Sequence, residues 1–74
     1  MCLLEIKAGE MVSVDSINVN SELKQRFNAM GLMRDSHICI KHFGWFKSTV
    51  QIVINRSLIA IRKNEAELIE VHKI

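Results

Sequence analysis

The stretch "FNAMGLMRDSHICI", residues 27–40, begins with one periodicity and ends with another. Together with Leu23 upstream, Phe27 and Met30 recur at i, i+4 and i+7, the stripe of an amphipathic helix. Downstream, Ile38 and Ile40 alternate with His37, Cys39 and Lys41, the period of a strand with one buried face. Gly31 stands between the two patterns. A glycine behind a helical stripe supplies the left-handed residue that ends the helix, and the next residue folds back on the last turn. The spacing predicts a helix over about 21–30, a stop at Gly31 and a contact between Leu32 and Phe27. Leu23, Phe27, Met30 and Leu32 are the expected core, at least three of the four buried. A helix placed just before a strand in so short a chain suits a plug over one end of a small barrel.

Working outward, Val12 and Val14 alternate with Ser13 and Asp15 and predict a first strand. Asn20 or Ser21 can accept the free N–H groups at the helix start, and Glu22 suits its first turn. After the second strand, "GWFKS" reads as a turn anchored by Gly44. "TVQIVIN" places Val50, Ile52 and Ile54 on one face of a third strand. Asn55 tolerates a positive φ in the tight connection to "LIAI", a fourth strand. "NEAE" predicts one helical turn over about 64–67, capped by Asn64 with Glu67 reaching back. "LIEVHKI" closes as a fifth strand. The expected fold is mainly β: one domain over 1–74, a partly closed barrel of about five strands whose closure would hide sheet edges.

Composition narrows the class. The chain is 49% hydrophobic and 24% charged, so it folds, but with four aromatics its core must be largely aliphatic. The net charge of +2 is too small to argue for nucleic acid by itself. Its distribution says more: no Asp or Glu occurs from Ser36 to Asn64, a span carrying Lys41, Lys47, Arg56, Arg62 and Lys63. That is either an ordinary mixed surface or a basic face for an acidic partner. Cys2, at a terminus expected to be loose, and Cys39 are too few for a disulfide scaffold. Neither a signal peptide nor an apolar run of membrane-spanning length occurs, so the expectation is a cytosolic protein with reduced thiols.

Two longer strings are specific. "LKQRFNAMGLMRDSHICI" resembles the helix-MGL-strand passage of the FeoA family, small accessory proteins of bacterial ferrous iron transport, and "LIAIRKNEAELIEV" resembles that family's closing passage. The likeness runs from about Leu4 to Val71; Arg34 and Asp35 stand where members commonly carry Pro-Gly. The resemblance implies an SH3-like barrel in the cytoplasm, regulating a membrane ferrous iron permease by contact with it and its GTP-binding part. Self-association is a further possibility. Two alternatives are a stand-alone relative of the SH3-like domain of metal-dependent repressors and a small barrel binding single-stranded nucleic acid through basic grooves and stacked aromatics. The acidic ends and low net charge speak against the last.

No phosphate-binding loop and no nucleophile–base pair occurs, so no enzyme and no cofactor is expected. No metal site is assigned either. His37, Cys39 and His42 are its weak candidates, with Cys2 and His72 more distant ones; a small edge cysteine and solvated histidines are the blander reading. "KHFGWFK", residues 41–47, carries the sharper expectation. Lys41, Phe43, Trp45, Phe46 and Lys47 cluster around one glycine at a hairpin tip, and not all three rings can turn inward. Either the tip is a partner-binding anchor, or Phe43 and Phe46 plug the barrel beneath an exposed Trp45.

Overall fold

A computed structural model describes residues 1–74. Five strands form one antiparallel sheet: β1 Met11–Ile17, β2 His37–Phe43, β3 Thr49–Ile54, β4 Ser57–Arg62 and β5 Ile69–Lys73. Helix α1, Ser21–Ala29, follows β1, and a single turn, α2 Lys63–Ala66, follows β4. The strand order is β4-β3-β2-β1-β5, so the first strand pairs with the last and the ends of the chain meet. Mainly β architecture with one short helix is as the sequence predicts. The sheet curls around its core without closing, since β4 and β5 share no ladder.

The helix start and stop follow the local code. Asn20 caps α1, its Oδ1 accepting from Leu23 N–H at 2.8 Å. At the other end Leu32 N–H donates to Phe27 C=O at 2.8 Å and Gly31 N–H to Asn28 C=O at 3.0 Å. This bond pair is a Schellman cap, and Gly31 holds the left-handed φ of +90° that it requires. Ser36 steadies the exit: its hydroxyl donates to Gly31 C=O and accepts from Met33 N–H. Phe27 and Leu32 are buried and Leu23 packs against the core. Met30 does not: it is the C-cap residue and lies 37% exposed, since the cap turns the chain before its side chain reaches the sheet.

The core holds 16 buried side chains, of which Phe27 is the one aromatic. Every strand contributes: Val12 and Val14, Ile38 and Ile40, and Val50, Ile52 and Ile54 through the alternation read from sequence, and Ile61, Ile69 and Val71 from the last two strands. The N-terminal segment adds side chains from outside the strands. Leu3 and Ile6 are buried in and beside a short 3-10 turn, Leu3–Glu5, so the N-terminus is fastened rather than loose. Cys2 bridges to Glu70, Val71 N–H donates to Met1 C=O at 2.6 Å, and the terminal ammonium lies 3.3 Å from the Glu70 carboxylate. Backbone pairing to β5, formed only in the folded state, is what holds it.

The turn after β4 also differs from expectation. Arg62, not Asn64, is the N-cap, and Glu65 rather than Glu67 reaches back to accept from Arg62 N–H at 3.3 Å. The helix begins one residue earlier because Lys63 N–H is already bonded to Ser48 C=O, just before the start of β3.

Two predictions follow from this packing. Gly31→Ala should cost about 1–2 kcal/mol in urea unfolding, because alanine resists that φ and its methyl group would stand 2.8 Å from Asn55 Nδ2. Glu5 and Glu10 are held below the usual glutamate range, chiefly by backbone N–H donation from Cys2 and Lys7 respectively. A lowered folded pKa means stabilisation present above the ordinary glutamate pKa and lost as pH falls through the folded value. The protection factors of the Cys2 and Lys7 amides, each taken relative to intrinsic exchange at the same pH, should therefore fall on acidification while that of Ile52 stays high; unchanged protection factors at both pH values would refute it.

Candidate functional site

The tip between β2 and β3 is built by Gly44 and the 3-10 turn Trp45–Lys47. Gly44 N–H donates to Thr49 C=O, Lys47 N–H to Gly44 C=O and Ser48 N–H to Trp45 C=O, each at 2.9 Å. A side chain at Gly44 would run into the Thr49 hydroxyl, so the tip closes only with glycine there. Phe46 and Lys47 both take left-handed backbone, φ +52° and +56°. Neither residue type favours that region, and such strain persists only where the surroundings enforce it.

The consequence is an aromatic pair turned outward. Trp45 is 84% exposed and Phe46 92%, their ring centroids 6.2 Å apart at 57°. Phe43 is different: it is half-buried, packs on the core and lies under Lys47, whose Nζ stands 4.9 Å from its ring centroid. The same ammonium donates to Leu4 C=O at 3.2 Å, tying the tip to the N-terminal turn. Lys41 is exposed on β2. Of the two rings that could plug the barrel, Phe43 does so in part and Phe46 does not: it sits on left-handed backbone and is exposed to solvent.

The weak metal candidates are dispersed. His37 and Cys39 share a face of β2, but a bulge between Ile40 and His42 breaks the register before His42. Cys2 lies beside Glu70. His72, opposite Ser13, uses Nδ1 on Asp15 Oδ1 at 2.6 Å. No group of three or more His, Cys, Asp or Glu side chains stands together so as to hold a metal ion. The His72–Asp15 pair had no sequence signal: 57 residues separate the partners, and only the β1–β5 register joins them.

Two further surfaces had no sequence signal. A cleft of about 390 Å³ runs between the end of β1 and α1, lined by polar side chains that include Asp15, Lys24, Asn28 and Arg34. A shallower one of about 600 Å³ lies where β4 meets α2, with Arg62 and Lys63 in its wall. No helix is long and apolar enough to cross a membrane.

The family model of the FeoA domain matches residues 1–73. The chain belongs to the FeoA family. A Campylobacter jejuni relative named "Putative Fe(2+) transport protein A" is 28% identical over 74 residues, covering all of both chains. The solution structure of a FeoA protein from Chlorobium tepidum superposes with a TM-score of 0.93 at 31% identity, over all of this chain and 70% of that one. The manganese-activated repressor ScaR matches with a TM-score of 0.87 at 20% identity, over all of this chain and 35% of its own. That last likeness is one of fold.

The geometry separates the three rings by stability. Phe43→Ala should lower unfolding free energy by about 1–3 kcal/mol, while Trp45→Ala and Phe46→Ala should each change it by less than about 0.5 kcal/mol. Thermal and urea melts of the three variants check this.

Proposed function

We propose that this FeoA-family chain is a cytoplasmic accessory of bacterial ferrous iron uptake. It regulates the membrane ferrous iron permease by contact with that protein's cytoplasmic, GTP-binding part, and performs no reaction of its own. One observation carries the proposal of a contact site: Trp45 and Phe46 stand 84% and 92% exposed, Phe46 on left-handed backbone. Water is a poor environment for two such rings, and exposed tryptophan beside cations is a frequent anchor in protein interfaces. Lys41 and Lys47 flank the pair, and Phe43 beneath it fixes the base of the tip. The site is thus Lys41, Phe43, Trp45, Phe46 and Lys47.

The core residues Phe27 and Leu32 and the cap at Gly31 serve this role indirectly, by holding the sheet from which the tip projects. The acid-free span from Ser36 to Asn64 adds Arg56 before β4 and Arg62 and Lys63 at its end, which suits an acidic partner surface.

Trp45 is the sole tryptophan, so 5-fluorotryptophan incorporated biosynthetically puts a single 19F label on the tip. On titration with unlabelled, detergent-solubilised permease of the same system, that 19F resonance should shift and broaden. Trp45→Ala and Phe46→Ala should each weaken association by roughly tenfold or more, as interface aromatics do, with melting curves unchanged. Unaltered affinity in both variants would remove the tip from the interface. No association of the wild-type chain at all would end the proposal.

A further inference from the structure

The two edges of the sheet are treated differently. Along β5 the edge is occupied by the chain itself, through the Cys2–Glu70 bridge and the bond from Val71 N–H to Met1 C=O. Along β4 nothing plays that part. Asn55 and Arg56, φ +49° and +71°, form a two-residue left-handed turn, so Ile54 and Ser57 are a hydrogen-bonded pair. The alternation of an antiparallel ladder then fixes the rest. Ser57, Ile59 and Ile61 bond to β3, while Leu58, Ala60 and Arg62 aim their N–H and C=O groups away from it. Arg62 N–H is taken by Glu65. The N–H and C=O groups of Leu58 and Ala60 bond to no other part of the chain. Leu58 is 60% exposed and Ala60 is exposed beside it.

Charge says what this edge would accept. Arg56 stands at one end, Arg62 and Lys63 at the other, and β3 and β4 carry no acid. A second copy pairing antiparallel, in the register that satisfies all four free groups, would set Leu58 against Ala60 and bring Arg56, in the turn just beyond the ladder, to the end where the other copy's Arg62 lies, twice. Like charges brought together at both ends of a pairing repel and oppose it. An incoming strand with acids six residues apart would instead meet Arg56 and Arg62, with small or apolar residues opposite Leu58 and Ala60.

We infer that the β4 edge, Ser57–Arg62, takes up an extended acidic segment of a partner protein as a sixth, antiparallel strand. The recognition is β-augmentation: main-chain bonds supply the docking and the flanking arginines supply the choice of sequence. The inference stands on the edge alone and does not depend on the role of the aromatic tip.

The probe is a short synthetic peptide of alternating Thr and Val with Glu six residues apart, capped at both ends, set against its Lys-for-Glu counterpart. Added to the full chain, the Glu peptide should move the amide resonances of Leu58 and Ala60 and slow their exchange with solvent. The Lys peptide should bind roughly tenfold or more weakly. Ala60→Pro removes an outward N–H without touching the β3 ladder and should abolish binding, with the melting curve checking the fold. The R56E/R62E double variant, whose backbone edge is intact, should reverse the preference between the peptides. Absence of amide shifts at millimolar peptide overturns the inference, as do equal affinities for the two peptides. Concentration-dependent protection of Leu58 and Ala60 without peptide would overturn it in favour of a second copy. Since none of these readouts involves the permease, failure here is distinguishable from failure of the tip contact.

Discussion

The bond from Leu32 N–H to Phe27 C=O, made possible by the left-handed turn at Gly31, joins the two halves of this small protein. It ends α1, buries Leu32 and Phe27 together in the core, and aims the chain into β2. It also brings Gly31 against Ile54 and Asn55, at the turn between β3 and β4. Helix, second strand and distant hairpin thus meet at one residue without a Cβ. In a domain this small a helix that overran by one residue would carry the core ring with it, because few other contacts could compensate.

The second constraint is the shortage of aromatic carbon. With Phe27 the one ring buried in the core, close packing has to come from branched aliphatics, and these are recruited from both ends of the chain. Leu3 and Ile6 join from the N-terminus, Ile69 and Val71 from β5, and the backbone bonds of Met1 and Cys2 hold the two ends side by side. The remaining rings are then free for other use. Phe43 is shared between core and surface, and Trp45 and Phe46 are given wholly to solvent. Recognition surface and core economy are thus two sides of one allocation. The tip and the open β4 edge also lie next to one another, since Thr49, just after the tip, pairs with Arg62.

Much of the fold was legible from the chain alone, and for physical reasons. Strand alternation and helical spacing are local, so Val12 and Val14, Ile38 and Ile40, and Val50, Ile52 and Ile54 could be assigned inward before any pairing was known. The stop at Gly31, the cap at Asn20 and the positive φ at Asn55 depend on the chemistry of one or two residues, and those readings hold. The FeoA passages at 23–40 and 58–71 identified the family through spacing along the chain, which needs no coordinates. Expectations that depended on neighbours distant in sequence fared differently. Met30 fits the helical stripe but falls at the turn where the cap redirects the chain. Asn64 is a good capping residue, yet the bond from Lys63 to Ser48 starts the helix earlier.

What the sequence determined by itself is the set of elements, their inward faces and their family, because each is written in residue type and period. Long-range strand pairing settles which ends meet and which surfaces stay open. The fastening of the N-terminus to β5, the pairing of His72 with Asp15, the outward swing of Phe46 and the unpaired groups of Leu58 and Ala60 all follow from strand order and register. Register is a property of two segments together. Neither segment carries it alone, and that is why the curled, unclosed sheet had to be seen before its free edge could be found.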